Sequence, residues 1–325
     1  MKVLFTARLA HWLLAASASL LAWPAAAQSD AFSFGVIAHS FKGTPDESIL
    51  RDAIAESDAD NLAFVVANGI KASVEPCSDA VYLRRKTVLN SAQNGLVVSL
   101  AGSDWTDCKN RHGKSAAMER LNRIRELFFS DDFSFGSSRI PLVRQSMAAK
   151  FHSYAENARW EIGNIMFATV DLPTGNNHYR PEAGRNSEFE DRLIANRDWL
   201  QRIFTIAAHK KMAAIVLFCD GNPLSQPGVA QKFDMGVKRD GFAEVRQFIN
   251  AMSAKFPGKV LVVHGQAANR PAIEGIRWRN NLGNLGISAG WVKLTVTPAS
   301  PGLFSITSQP TEAKKSRAQP TALQP

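Results

Sequence analysis

The chain has 325 residues, 45% hydrophobic and 21% charged, with a formal net charge of +9. This composition is that of an ordinary globular protein, and the length suits one large domain after removal of a leader, which excludes a collagen-like chain or a bundle of membrane spans. The basic excess is modest and forms no stripe interleaved with aromatic residues, so no nucleic-acid partner is expected; an anionic ligand or a negatively charged surface remains open.

Lys2 and Arg8, the apolar run 13–21 and Ala25-Ala26-Ala27 before Gln28 read as an export signal over residues 1–27. The run is short for a bilayer span and Pro24 breaks it, so no stable membrane insertion is expected and the mature chain should be periplasmic or secreted. Residues 31–37 then read as a strand. Residues 45–57 read as a helix, with Thr44 as its cap and Pro45 in its first turn. A strand at 62–66, a helix at 78–90 and a strand at 96–100 follow. Met118, Leu121, Ile124, Leu127 and Phe128 recur at helical spacing within 115–129. Residues 133–150 read as irregular.

The second half opens with a hairpin, 151–160 returning as 165–170 through Gly163-Asn164. A polar loop (172–184) leads to a long helix (188–210) and a strand (213–219). A Gly/Pro loop (220–227), a helix (241–253) and a strand (259–264) come next, and 285–288 and 290–297 read as closing strands. Residues 307–325, rich in Pro, Gln, Ser, Thr, Lys and Ala, read as a disordered tail, which leaves 28–306 as one domain. Cys77 and Cys108 lie in polar loop sequences, and export favours a disulfide between them. Cys219 ends the strand 213–219 and reads as a buried thiol, with no activating His or helix start beside it.

Four segments, 34–40, 64–71, 100–108 and 260–268, are or follow short apolar runs that end in small or polar residues. That is how strands deliver side chains to one edge of an α/β sheet. With Ile70-Lys71, Pro76-Cys77-Ser78-Asp79, Trp105-Thr106-Asp107-Cys108, Tyr154-Ala155-Glu156-Asn157, Gly175-Asn176-Asn177 and Val262-Val263-His264-Gly265, they carry a resemblance. The body resembles the calcineurin-like metallophosphoesterase superfamily, in particular its secreted bacterial members. The resemblance implies an α/β sandwich of two mixed β-sheets flanked by helices. It also implies a pair of metal ions at the strand ends, which would generate a hydroxide and hold phosphoryl oxygens.

Measured against that pattern, most ligands are replaced. His39 stands where the first motif has Asp, and Phe41 stands at its second ligand. Ile70 follows Gly69 where an Asp should bridge the metals. Ser103 replaces the Asn of the third motif, and Asp104 takes its acid–base position. In the last motif His264 remains, Ala268 replaces the second His, and Gln266 lies between them. His39, Asp104 and His264, with Ser103 as a weak oxygen donor, could hold at most one divalent ion (Zn, Mn or Fe) with a water as fourth ligand. The expectation is therefore an exported, non-catalytic pseudoenzyme or binding protein that needs no cofactor. Its partner would be an anionic small molecule or a protein. The competing expectation is weak metal-dependent phosphomonoester or phosphodiester hydrolysis through Asp104 and Ser103. Asn176 and Asn177 should line the cleft, and Lys71 should offset missing metal charge. Arg144 and Arg159 suit either phosphate or ion pairs, and Trp105 and Trp160 suit core or cleft wall.

Overall fold

A computed structural model describes residues 30–38, 47–181, 186–225, 239–265, 275–287 and 290–308. Two mixed sheets carry the fold, as the resemblance implied at that level. The five-stranded sheet runs in the order β12 (Phe304–Ser308), β11 (Trp291–Val296), β1 (Phe32–Ile37), β2 (Val65–Asn68), β3 (Leu96–Ser99). Its β1, β2 and β3 are parallel, and β11 and β12 run antiparallel to their neighbours. The seven-stranded sheet has the order β4 (Val143–Arg144), β5 (Ala158–Ile162), β6 (Ile165–Thr169), β7 (Ala214–Cys219), β8 (Lys259–His264), β10 (Leu282–Gly286), β9 (Arg277–Arg279). Strands β6, β7, β8 and β10 are parallel within it.

Alternation along the strands builds three apolar layers. Phe34, Phe64, Val66, Trp160, Phe167, Val216, Phe218 and Leu261 fill the space between the sheets. Phe34 and Phe64 stack at 5.1 Å, and Phe167 meets Phe64 edge-on at 4.7 Å. The other face of β1–β3 packs Ile37, Val65 and Val98 on α1 (Glu47–Asp58), α2 (Asp79–Asn90) and α3 (Ala117–Phe128). The outer face of the larger sheet packs Met166, Ile215, Leu217 and Val262 on α5 (Ser187–His209) and α6 (Ala243–Lys255). The order of layers is helix, sheet, sheet, helix. Because the strands of β6, β7 and β8 are covered on both faces, they read as continuous apolar runs rather than alternating ones.

Helix α2 starts as its sequence indicates, with Ser78 Oγ accepting from Val81 N. The hairpin turns at Gly163-Asn164, where Gly163 has φ +55°. Several elements differ from expectation. The second strand begins at Val65 and runs to Asn68, because Leu62 and Phe64 are packed before the pairing with β3 starts. The stretch read as irregular contains β4 and two 3-10 turns, Gln145–Met147 and Ala149–Phe151. Strands β9 and β12 had no counterpart in the sequence reading: both are edge strands, whose pairing partner rather than an apolar pattern defines them. Strand β12 also carries the folded chain through Ser308, past the boundary expected at 306. The expected signal (1–27), the start of the first helix with Thr44 and Pro45, and residues 309–325 lie outside the described residues. No helix among the described residues is long and apolar enough to cross a membrane.

Candidate functional site

The parallel strands of both sheets end at one edge: Ile37, Ala38, Asn68, Ser99, Cys219, His264 and Ile287 face one another there. Ligands of open α/β sheets bind outside such carboxyl ends. Above this edge lies a cavity of about 420 Å³, walled by the loops after β2, β3, β6, β7 and β8. Its polar lining includes Ser103, Thr106, Asp107, Thr174, His178 and Arg180.

The loop after β3 begins with the 3-10 turn Gly102–Asp104, and Asp104 holds it in place. The carboxylate is fully buried. Its Oδ1 accepts from Ile70 N (2.8 Å) and Lys71 N (3.0 Å), and its Oδ2 from Ala101 N (2.8 Å). A buried anion bonded to backbone N–H groups is compensated without metal or solvent, so Asp104 ties the β2 loop to the β3 loop. Lys71 is buried beneath the same loop and does not line the cavity; its Nζ donates to Ala72 O (2.7 Å) and Ser103 O (2.9 Å). Burial lowers its pKa, against the opposing pull of Asp104, Glu75 and Asp107. Tyr82 Oη donates to Asp104 O, and the Cys77–Cys108 disulfide, Cα–Cα 5.7 Å, fastens the same two loops as expected. Ile70, where the resemblance would put a bridging carboxylate, is packed into the core under α2 and α3.

Asp220, at the end of β7, does the same work for the opposite wall. Its Oδ2 accepts from Gly102 N (2.7 Å), Thr174 N (2.8 Å) and Thr174 Oγ1 (2.8 Å), and its carbonyl takes Gly265 N (3.0 Å). The sequence reading passed over Asp220. The signal that could have found it is an acidic residue directly after the buried run 214–219, at a parallel strand's carboxyl end.

The wall after β6 contains the most unusual backbone among the described residues. Gly175, Asn176, Asn177 and His178 have φ of +75°, +58°, +55° and +53°, a full left-handed turn in α4 (Thr174–Asn177) and its cap. Left-handed residues ordinarily occur singly, each disfavoured by about 1–2 kcal/mol, with Gly and Asn the tolerant types. Side chains hold the turn. Asn176 Oδ1 accepts from Gly241 N and its Nδ2 donates to Arg239 O, while Asn177 Nδ2 donates to Gly241 O. Buried Arg192 donates to Asn177 Oδ1 (2.5 Å) and Asn177 O (2.9 Å). The two Asn side chains thus point at the scaffold. The turn gives the cavity Gly175 and His178, followed by Tyr179 and Arg180.

His178 lies against Trp105, ring centroids 4.7 Å apart and edge-on. Its Nδ1 is 2.8 Å from Glu188 Oε2, and its Nε2 accepts from Arg180 Nε at 3.0 Å. A guanidinium has no lone pair to offer, so this pair of contacts fixes a neutral imidazole with its proton on Nδ1. Burial would raise the Glu188 pKa, but Arg192 and the His178 hydrogen bond outweigh it and bring it down to about 2. Beneath them Asp171 is fully buried, and neither carboxyl oxygen has a hydrogen-bond partner among the described residues. Burial pushes its pKa well above the usual carboxylate range, because Arg192, at 3.9 Å, is already engaged by Glu188 at 2.6 Å.

Of the other residues singled out, Ser103 lines the cavity and donates to Lys71 O (3.1 Å). His264 is buried at the end of β8, its Nε2 bonded to Asn284 Oδ1 (2.7 Å). His39, Phe41, Gln266 and Ala268 lie outside the described residues. Arg144 is a buried structural residue, donating to Asp131 O and Ala155 O, and Arg159 pairs with Glu161. Trp160 sits in the inter-sheet core. The Cys219 thiol is buried, which raises its pKa far above the reactive range. Fold and site together define an α/β sandwich of two mixed sheets with a polar cleft at the carboxyl edge. No protein-family model matches the chain, and a search of curated proteins finds no match.

Proposed function

We propose that this is an exported, non-catalytic protein on a calcineurin-like phosphoesterase scaffold, whose remodelled cleft binds an anionic small molecule. One observation carries the reading: the carboxylates at the strand ends act as clamps. Three backbone N–H groups occupy Asp104, and two backbone N–H groups and a hydroxyl occupy Asp220 at its ends. What faces the 420 Å³ cavity is a guanidinium, several hydroxyls, an imidazole and the exposed carboxylate of Asp107, a lining suited to holding a polar ligand rather than activating water. The disulfide agrees with an oxidising compartment.

The test combines elemental mass spectrometry of the mature protein, after dialysis against Zn²⁺, Mn²⁺ or Fe²⁺, with calorimetric titration of small oxyanions. Binding should need no metal and should disappear in Ser103→Trp, which fills the cleft, while the thermal midpoint stays within a few degrees. Two metal equivalents with phosphoester turnover would overturn the proposal. One equivalent, lost in His264→Ala together with turnover, would favour the reduced hydrolase. Anion binding that survives Ser103→Trp would move the ligand elsewhere.

A further inference from the structure

Within that cleft, and resting on that reading, we infer that Arg180 receives the acidic group of the ligand, a carboxylate or phosphoryl oxygen, and that Glu188 and neutral His178 position it. Arg180 is half-buried in the cavity wall. Its Nε donates to His178 Nε2 (3.0 Å) and its Nη2 to Thr106 O (2.8 Å). It forms no ion pair among the described residues. By contrast, Arg85, Arg125 and Arg192, which are equally or more buried, each have a carboxylate, and buried Arg144, which forms no ion pair among the described residues, is served by two backbone carbonyls and the face of Phe129 rather than by a cavity. Burying a guanidinium without a counter-charge is costly unless an anion completes it, and its fork matches two-oxygen groups. The Ser103, Thr106 and Thr174 side chains border the same space, but their hydroxyl protons are donated to Lys71 O, Gly102 O and Asp220 Oδ2, so the guanidinium carries the contact with the anion.

The chain Glu188–His178–Arg180 makes this placement conditional. Glu188 holds the proton on His178 Nδ1, which leaves Nε2 as the acceptor for Arg180 Nε. When the imidazole takes up a second proton, Nε2 becomes a donor facing a donor, and two cations meet. Arg180 then loses the contact that aims it. The other charged groups around His178 are Arg192, beside Glu188 on α5; Asp107, exposed on the loop after β3; Asp220, after β7; and Lys71, beneath Ser103. Histidine is the residue type that ordinarily changes charge at mildly acidic pH, and buried Asp171, below Arg192 and held well above the usual carboxylate range, titrates toward the alkaline end, so His178→Gln is the variant that separates the two. Anion affinity should therefore fall on acidification, the reverse of what a protonated histidine in direct contact with the anion would give.

Sulfate keeps its charge across the relevant range and is the first probe, with acetate as the carboxylate arm. Both are titrated calorimetrically into the mature protein between about pH 8 and about pH 5. The expected result is sulfate affinity about tenfold weaker at the acid end, and at least about tenfold weaker at all pH values in Arg180→Gln. His178→Gln, which keeps an acceptor for Arg180 Nε but cannot be protonated, should bind within a few-fold of the parent at the alkaline end and show a flat pH profile. Affinity that rises on acidification, a profile unchanged in His178→Gln, or undiminished binding in Arg180→Gln would each overturn the inference. If that occurs while Ser103→Trp still abolishes binding, the cleft stands and only the role of Arg180 falls. If neither anion binds at any pH, the inference falls, and a neutral ligand lost in Ser103→Trp would keep the cleft.

Discussion

Asp171 and Glu188 share one guanidinium, Arg192, and their environments drive them in opposite directions. Glu188 is depressed to about 2, so its stabilisation is present above the unfolded carboxylate pKa and is lost as pH falls through the folded value. Asp171 is raised, so the sign reverses. Its contribution is fully present below the unfolded pKa and declines as pH rises through the folded one. We expect urea unfolding of the parent to show stability declining from weakly acidic to alkaline pH. Asp171→Asn should show a flatter profile and exceed the parent at the alkaline end. A parallel profile for the two proteins would place the buried proton elsewhere. Neither residue stood out in the sequence, because a lone Asp after a strand and a Glu in the first turn of a helix are ordinary. Only their convergence on Arg192 separates them. Asp104 was legible as a position, being the acid that follows β3, but its role as a loop clamp depends on where Ile70 and Lys71 turn their N–H groups.

Among the elements, the left-handed turn Thr174–Asn177 and its cap is the most dependent on context. Four consecutive residues with positive φ hold together only because Gly241, Arg239 and Arg192 take their polar groups. Gly241 is part of this device, since a Cβ there would lie 2.1 Å from Asn176 O. Asn177→Ala removes the bonds to buried Arg192 and Gly241 and replaces a tolerant residue with a disfavoured one. It should lower stability by about 2–4 kcal/mol in denaturant titration. Anion affinity should fall with it, because His178 and Arg180 ride on the turn. A change below about 0.5 kcal/mol would mean that the turn is held by something other than these bonds. Gly175-Asn176-Asn177 was readable as a turn and was expected to line the cleft with its Asn side chains. The structure points both of them at the scaffold, and the residues presented to the cavity are Gly175, His178, Tyr179 and Arg180.

Across the whole molecule, the cleft exists because two sheets with shared inner faces bring six strand ends to one edge, and the disulfide fixes its outer rim. Cys77 and Cys108 close a loop of 31 residues in sequence separation. Replacing both with Ser should cost about 3–4 kcal/mol in the chain-entropy view. The loss should fall on the α2–α3 side of the cleft, seen as faster amide exchange around Ile70 and Lys71, with β7 and β8 unaffected. Uniform loosening of both sheets would contradict the local role of the bond.

The sequence by itself determined the class of fold, nearly all the buried strands, all the long helices and the disulfide. The strands and helices are written in local periodicity and caps that need no distant partner, whereas the disulfide was expected from two loop cysteines in a chain read as exported. It also marked the strand ends where polar residues gather, which located the edge of the site. Tertiary structure decided the remainder. The edge strands β9 and β12 are defined by the strands they pair with. The carboxylates of Asp104 and Asp220 became clamps because loops distant in sequence offer them N–H groups. Arg180 faces the cavity half-buried because His178 and Thr106 O hold its guanidinium, and Glu188 on α5 holds His178. Hydrogen bonds and charge pairs act at about 3 Å regardless of sequence separation, so the fold alone determines which polar groups are satisfied and which face a ligand.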